Sequence, residues 1–207
     1  MKLLKQGAEA KLFLTKQDGQ HVIIKDRIEK KYRIKQIDQK IRRVRTSRES
    51  NLLSGARRVG VPTPRILRVD KENHKIVMEY IDGIRIKELL NESDEKTIKK
   101  LSREIGRLIG KLHSAGIIHG DLTTSNMILK DEKIYFIDFG LGFFSRKIED
   151  KGTDLKLLKE ALKSTHFKIL KTCWENIIKA YRKEYKHAEK VLKKVEEIEK
   201  RARYTKK

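Results

Sequence analysis

His119-Gly120-Asp121-Leu122-Thr123-Thr124-Ser125-Asn126, followed by Asp138-Phe139-Gly140, decides the reading of this chain. It sets an Asp and an Asn five residues apart on a loop. A tight hairpin pattern over 127–130 and 134–138 follows, and a second Asp ends it. Phosphoryl transfer from ATP needs such a set. Metal ions must neutralise the phosphates, and hard cations such as Mg²⁺ take oxygen ligands from carboxylate and amide groups. A further carboxylate must stand beside the acceptor hydroxyl or water. The hairpin is expected to fold Asn126 and Asp138 back towards each other as metal ligands, with Asp121 as the catalytic carboxylate. Four fixed letters recur by chance in a chain of this size on the order of once in a thousand. A polar turn plus a strand end is the bland alternative.

Three N-terminal features complete that chemistry. Lys25 ends the apolar run Val22-Ile23-Ile24. A lysine on a half-buried strand points inward only to meet anions, and the phosphates of ATP plus a carboxylate would serve. Glu49 precedes Leu52 and Leu53 at helical spacing, so it shares their apolar face and wants a cation there. Glu29 is the rival, but its polar run has no apolar register. Gln6-Gly7-Ala8-Glu9-Ala10 reads as a phosphate-covering turn in which small residues admit a close backbone approach. It lacks the three glycines of the usual loop. Glu9 is out of place beside phosphates unless it meets a metal, a cation or a partner protein.

Around these residues the pattern is α+β. Residues 10–15 and 21–26 form a hairpin pattern around Gln17-Asp18-Gly19. A helix is expected over 38–59, ending at Gly60 and Pro62-Thr63-Pro64. A second hairpin spans 65–69 and 75–80. Ser93 is expected to cap a helix with Ile98, Leu101, Ile105, Leu108 and Leu112 on one face, stopped at Gly116. The remainder is helical from about Thr153. Leu192, Val195 and Ile198 form a last stripe that packs on the protein or on a partner. Asn91-Glu92-Ser93 reads as a helix start, and Cys173 and Trp174 as core. The expected domains are a β-rich lobe, 1–80, and a mostly helical lobe, 81–207.

The chain has 207 residues, 51 Lys or Arg against 29 Asp or Glu, and a net charge of +22. Ile, Leu, Val and Phe are frequent enough for a folded core. No uncharged apolar run approaches the ~18 residues of a membrane span, and Gln6, Gly7 and Glu9 break any signal-peptide core. One cysteine excludes an internal disulfide and a cysteine zinc site. A cytoplasmic location and no membrane contact are the expectation. The excess of one sign points to nucleic acid, nucleotides or acidic proteins as partners. It concentrates in residues 25–48, with eleven cationic residues against three acidic, and in the tail 186–207, with nine against four. Solvated faces of a heat-adapted protein would explain many charges, but not their imbalance.

Together these residues resemble the protein-kinase superfamily. Lys25 looks like its strand-three lysine and Glu49 like the helix partner. Asp121, Asn126 and Asp138 match the catalytic-loop and DFG positions. Met78-Glu79-Tyr80-Ile81 looks like the hinge that binds adenine, which makes Glu79 and Ile81 candidate nucleotide contacts beside Gln6, Gly7, Ala8, Glu9, Ala10, Lys25 and Glu49. Gly120 replaces the arginine usual before the catalytic aspartate. No APE-type segment is present, nor room for a long activation loop or a peptide-docking subdomain. The QGAEA turn, Lys30-Lys31-Tyr32-Arg33, HGDLTTSN, Glu149-Asp150-Lys151 with Asp154, and the basic tail 201–207 resemble the small atypical kinase of the KEOPS complex, the PRPK-type family, in a stand-alone, archaeal-looking form. That resemblance implies a kinase-like two-lobe fold and an ATPase or Ser/Thr kinase with ATP and Mg²⁺. It implies a role in threonylcarbamoyladenosine formation on tRNAs reading A-starting codons. The implied partners are the universal threonylcarbamoyltransferase subunit, a small regulatory subunit, and tRNA through the basic surface and tail. It also makes Asp154 a buried brace for the catalytic loop, where the bland reading is a helix N-terminal acid beside Thr153.

Two other functions compete. A small-molecule kinase of the aminoglycoside or sugar type shares the HGD loop but carries a large helical insert that this chain lacks. RIO kinases are nearer, though their phosphate-loop pattern differs from QGAEA. A pseudokinase that docks RNA or protein would show a broken lysine or metal position, and none is visible.

Overall fold

The computed structural model describes residues 1–204, with side chains through Arg201. Residues 202–207 of the basic tail therefore fall outside the described side chains. Five antiparallel strands form the first sheet: β1 Lys2–Gln6, β2 Ala10–Gln17, β3 Gln20–Arg27, β4 Ile66–Asp70 and β5 Lys75–Glu79, in the order β1-β2-β3-β5-β4. The β2–β3 turn carries Asp18 and Gly19 at φ 48° and 77°, the left-handed pair a two-residue hairpin needs. Helix α1, Lys35–Arg58, crosses this sheet between β3 and β4.

The second half starts with β6 Ile84–Arg85, α2 Ile86–Glu92, α3 Glu95–Ser114 and β7 Ile117–Ile118. The hairpin of β8 Met127–Lys130 and β9 Lys133–Phe136 follows, then β10 Phe143–Phe144 and helices α4 Ile148–Thr165, α5 Leu170–Glu184 and α6 Ala188–Tyr204. The α3 stripe is buried as its period predicts, with Ile105, Leu108 and Leu112 at 0% exposure. Burying each such side chain stabilises by roughly 1.5–3 kcal/mol. Helices α3 and α5 touch backbone to side: a Cβ on Gly106 would lie 2.1 Å from the Ile177 carbonyl oxygen. One buried cluster runs from Leu52 on α1 through Phe136 and Phe139 to Val195 on α6. The last stripe packs within the molecule: Val195 is buried, Leu192 and Ile198 are half-buried, and Lys159 pairs with Glu199 of the same helix at 2.8 Å. Cys173 is core, and burial pushes its thiol pKa up.

Several boundaries differ from expectation. Strand β1 and helix α2 were not legible in the pattern. Asp94, not Ser93, caps α3: its carboxylate accepts from the Thr97 N–H at 2.9 Å. The Ser93 hydroxyl instead donates to the Leu89 carbonyl, so Asn91-Glu92-Ser93 ends a helix rather than starting one. Helix α1 begins at Lys35, with Ile34 at its N-cap, three residues before the expected start. The Asp38 carboxylate is buried, bound to Arg42 at 2.6 Å and Arg33 at 3.4 Å. Helix α4 begins at Ile148, which moves Asp154 into its second turn. No helix of the described residues is long and apolar enough to cross a membrane.

Candidate active site

Lys25 and Arg27 lie two residues apart on β3 and point to the same buried face. Glu49, on the inner face of α1, meets both: its Oε1 takes the Lys25 Nζ at 2.6 Å and its Oε2 takes the Arg27 guanidinium. Glu49 rather than Glu29 is thus the helix partner. Lys25 Nζ also reaches Asp138 Oδ1 at 2.7 Å, so one ammonium bridges strand, helix and loop. Burial works against the Lys25 ammonium, but the carboxylates of Glu49 and Asp138 outweigh it and raise its pKa. Burial likewise opposes ionisation of Asp138, and Lys25 more than compensates, holding that carboxyl below the ordinary aspartate range.

Asp121 stands across the cleft on the loop between β7 and the turn Thr124–Asn126. The Asn126 side-chain N–H groups donate to Asp121 Oδ2 at 2.8 Å and to its carbonyl at 3.0 Å. That commitment leaves the amide oxygen as the group free to meet a cation. Asp138 lies past the end of β9 at φ 61°. Phe139 behind it is fully buried against the His119 ring, centroids 4.4 Å apart. His119 donates from Nε2 to the Ile137 carbonyl at 3.1 Å, and its Nδ1 accepts from the Asp121 N–H at 3.3 Å. Those two bonds need the neutral Nε2–H tautomer. Burial, only partly offset by nearby carboxylates, lowers the imidazole pKa and keeps that form.

Asp154 braces the loop from α4. Its Oδ2 accepts the His119 N–H at 2.8 Å and its Oδ1 the Gly120 N–H at 2.9 Å. His113 approaches Oδ2 at 3.4 Å and bonds Tyr181 through its other nitrogen at 2.9 Å. Burial opposes the Asp154 charge, yet these partners, led by the His113 hydrogen bond, lower its pKa. The helix-terminus reading of Asp154 therefore falls. Gly120 has φ 79°, and a Cβ there would stand 2.4 Å from the Leu141 carbonyl oxygen. That contact explains why no arginine precedes Asp121.

The cleft has a volume of about 210 Å³ and is lined by Gly7, Ala8, Glu9 and Ala10 of the turn, Lys25, Arg27, Asp121 and Asp138. The turn closes with the Gly7 N–H on the Ala10 carbonyl at 2.9 Å. Lys30 Nζ binds the Ala8 carbonyl, and Glu9 pairs with Arg45 at 2.7 Å and Arg33 at 3.7 Å. Glu9 thus faces cations of α1 and of the loop before it. Gln6 lies on exposed β1 and does not line the cleft. The Glu79 carboxylate accepts the Arg65 N–H at 3.1 Å and belongs to a separate groove with His21 and Arg57, and Ile81 is buried. Among the described residues no three His, Cys, Asp or Glu side chains gather into a metal site. The donors at hand, two carboxylates and an amide oxygen, fit a hard cation that completes its shell with phosphate oxygens. Arg27 was missed by sequence reading. Its signal was the two-residue offset from Lys25 on one strand.

A family model for the RIO domain matches residues 10–141, starting just past the Gly7–Glu9 turn. The KEOPS complex subunit Bud32 of Pyrococcus abyssi is 51% identical over 99% of this chain and 96% of its own length. A probable bifunctional tRNA threonylcarbamoyladenosine biosynthesis protein of Methanosarcina mazei is 44% identical over 98% of this chain, which spans 35% of that longer relative. Among solved structures, the Rio2 kinase–ADP/Mg²⁺–phosphoaspartate complex from Chaetomium thermophilum superposes with a TM-score of 0.66 over 99% of this chain and 72% of that one, at 15% identity. WaaP in complex with acyl carrier protein gives 0.68 at the same identity, over 96% and 88%. With the bridged lysine, the braced loop and the sheet-and-helix order, these matches place the fold as RIO kinase-like, and the chain belongs to the RIO-domain family, in the branch of the KEOPS subunit Bud32.

Proposed function

We propose that this chain is an ATP-dependent phosphoryl-transfer and ATP-hydrolysing subunit of a KEOPS-type complex, serving threonylcarbamoyladenosine formation on tRNA. One observation carries the reading: Lys25 is bridged to Glu49 and Asp138 at the wall of a cleft that Asp121 also lines. Residues 1–80 and 81–207 act as the two lobes around it. Lys25 positions the phosphates of ATP, and the Gly7–Ala10 turn covers them with backbone groups. Asp138 and the Asn126 amide oxygen would hold Mg²⁺, which supplies charge neutralisation at the phosphates when bound. Asp121 orients the attacking hydroxyl or water and holds its proton, while Asn126 fixes the Asp121 carboxylate. Gln6, Glu79 and Ile81 contribute through strand β1 and the hinge backbone. Their side chains do not enter the cleft's phosphate end.

The link to tRNA modification rests on the named relatives. The partners proposed are the threonylcarbamoyltransferase subunit, the small regulatory subunit and tRNA, in the cytoplasm. Lys31, Lys35, Lys40, Arg43 and Arg48 are exposed and make no ion pair among the described residues, which supports contact with a polyanion. The test follows γ-labelled ATP into free phosphate and into protein, alone and with transferase subunit and tRNA. Phosphate release that rises with both partners is the expected result. Label that passes only to protein, without stimulation, rejects the ATPase role. Phosphorylation of a small alcohol at a higher rate rejects the macromolecular reading.

A further inference from the structure

His166 is a buried titratable side chain that does not line the cleft. It caps the C-terminal end of α4 at 2% exposure. Its ring bridges two other elements. Nδ1 meets Asn91 Oδ1 on α2 at 2.6 Å, and Nε2 meets the Thr124 hydroxyl at 2.9 Å. An amide oxygen only accepts, so Nδ1 carries the proton and Nε2 accepts from Thr124. Burial, and after it the Lys87 charge, lowers the imidazole pKa and keeps this neutral form.

Thr124 is 1% exposed and opens the turn Thr124–Asn126. That turn delivers Asn126, whose amide holds Asp121 Oδ2 at 2.8 Å. Arg85, the N-cap of α2, grips the same turn by donating to the Ser125 carbonyl at 2.7 Å. The loop from His119 to Asn126 is thus held from both ends of α4. Asp154, in the second turn of the helix, takes the N–H groups of His119 and Gly120. His166, past the last turn, takes the Thr124 hydroxyl. With the first hold alone, the Asn126 half of the loop could pivot. A reacting group misplaced by about 1 Å can lose on the order of 10²-fold in rate.

We propose that His166 is a positioning residue for phosphoryl transfer: through the Thr124 hydroxyl it sets the turn that carries Asn126, and Asn126 aims the Asp121 carboxylate. This rests on the site proposed above, and the experiment separates the two.

Steady-state γ-phosphate release is measured on the full-length protein, with ATP and Mg²⁺ varied. Thr124→Val keeps the side-chain shape and removes the hydroxyl. It lowers kcat by about 10–10²-fold and leaves KM for ATP within about twofold, because ATP contacts are untouched. His166→Ala does the same. Thr124→Ser, which restores the hydroxyl, returns kcat to within about threefold of wild type, and His166→Gln, whose amide oxygen can accept from Thr124, recovers most of the loss. The double variant His166→Ala with Thr124→Val is no worse than either single change. The Thr124→Val and Thr124→Ser comparison decides even where His166→Ala folds poorly. A wild-type kcat in Thr124→Val, or losses that multiply in the double variant, overturns the proposal. A lowered melting temperature with kcat and KM unchanged also overturns it, since His166 is then structural only. Asp121→Ala is run beside them. If it turns over like wild type, the site itself is wrong. If it is slow while Thr124→Val is not, only the role of His166 falls.

Discussion

The two walls of the cleft are held by different physics. On the strand side, Lys25, Arg27, Glu49 and Asp138 are joined by ion pairs, and Glu9 and Arg45 repeat the device nearer the surface. On the loop side, His119 and Gly120 hang from Asp154 by backbone N–H donors, and two neutral-ring contacts of His119 set the rest. An ion-pair wall can rearrange to take in a further anion. A wall built on backbone amides and a positive-φ glycine has no second arrangement of similar energy. The difference suits the roles proposed for them: the strand side offers a cation to the phosphates, and the loop side keeps Asp121 fixed.

Removing the loop-side anchor should do the most damage. Asp154→Ala leaves two buried N–H groups and His113 without their acceptor, and a loss of about 3–5 kcal/mol is expected in chemical unfolding. A melting curve like wild type would break the contrast. Gly120→Ala forces a side chain into φ 79° against the Leu141 carbonyl, for an expected loss of at least ~1–3 kcal/mol. Turnover should fall more than stability, because the same loop carries Asp121.

Acid separates the walls next. His119, His166 and His74 each have a pKa held below the ordinary 6.5, with burial the leading cause. The unfolded chain therefore takes up protons that the folded chain refuses, and stability declines as pH falls from about 6.5. The Asp154 and Asp138 carboxylates, both lowered, add a further loss at pH values below their ordinary 3.8. Lys25 behaves oppositely. Its raised pKa gives stability that is complete below 10.5 and lost only as pH rises above that value. Thermal melting across about pH 2–12 checks both signs. The smallest effect expected is that of Glu9→Gln. Its pairs are partly exposed, so the cost in stability is about 0–1 kcal/mol, and it shrinks with salt.

Much of the strand side was legible in the sequence. Lys25 ends an apolar strand run and Glu49 shares a helix face with Leu52 and Leu53, and each position demanded an opposite charge. Arg27 was not, because a cation at the end of a strand looks like any solvated one until its burial is known. On the loop side the HGD and DFG letters stood out. The brace by Asp154 could not be separated from a helix-end acid, since that depended on where α4 begins. Strand β1 escaped for a different reason. All five of its residues are exposed, so the ladder with β2 holds it rather than an alternating apolar face. Ser93 and Asp94 are adjacent and both good caps, and only the carboxylate reaching the Thr97 amide decides between them.

The most direct measurement pairs nucleotide binding with turnover in Asp121→Ala, using the Mg²⁺-dependent thermal shift for the first and γ-phosphate release for the second. Binding close to wild type with turnover reduced by about 10²–10⁴-fold is the predicted result. Turnover at the wild-type rate would contradict the assignment of this cleft as the phosphoryl-transfer site.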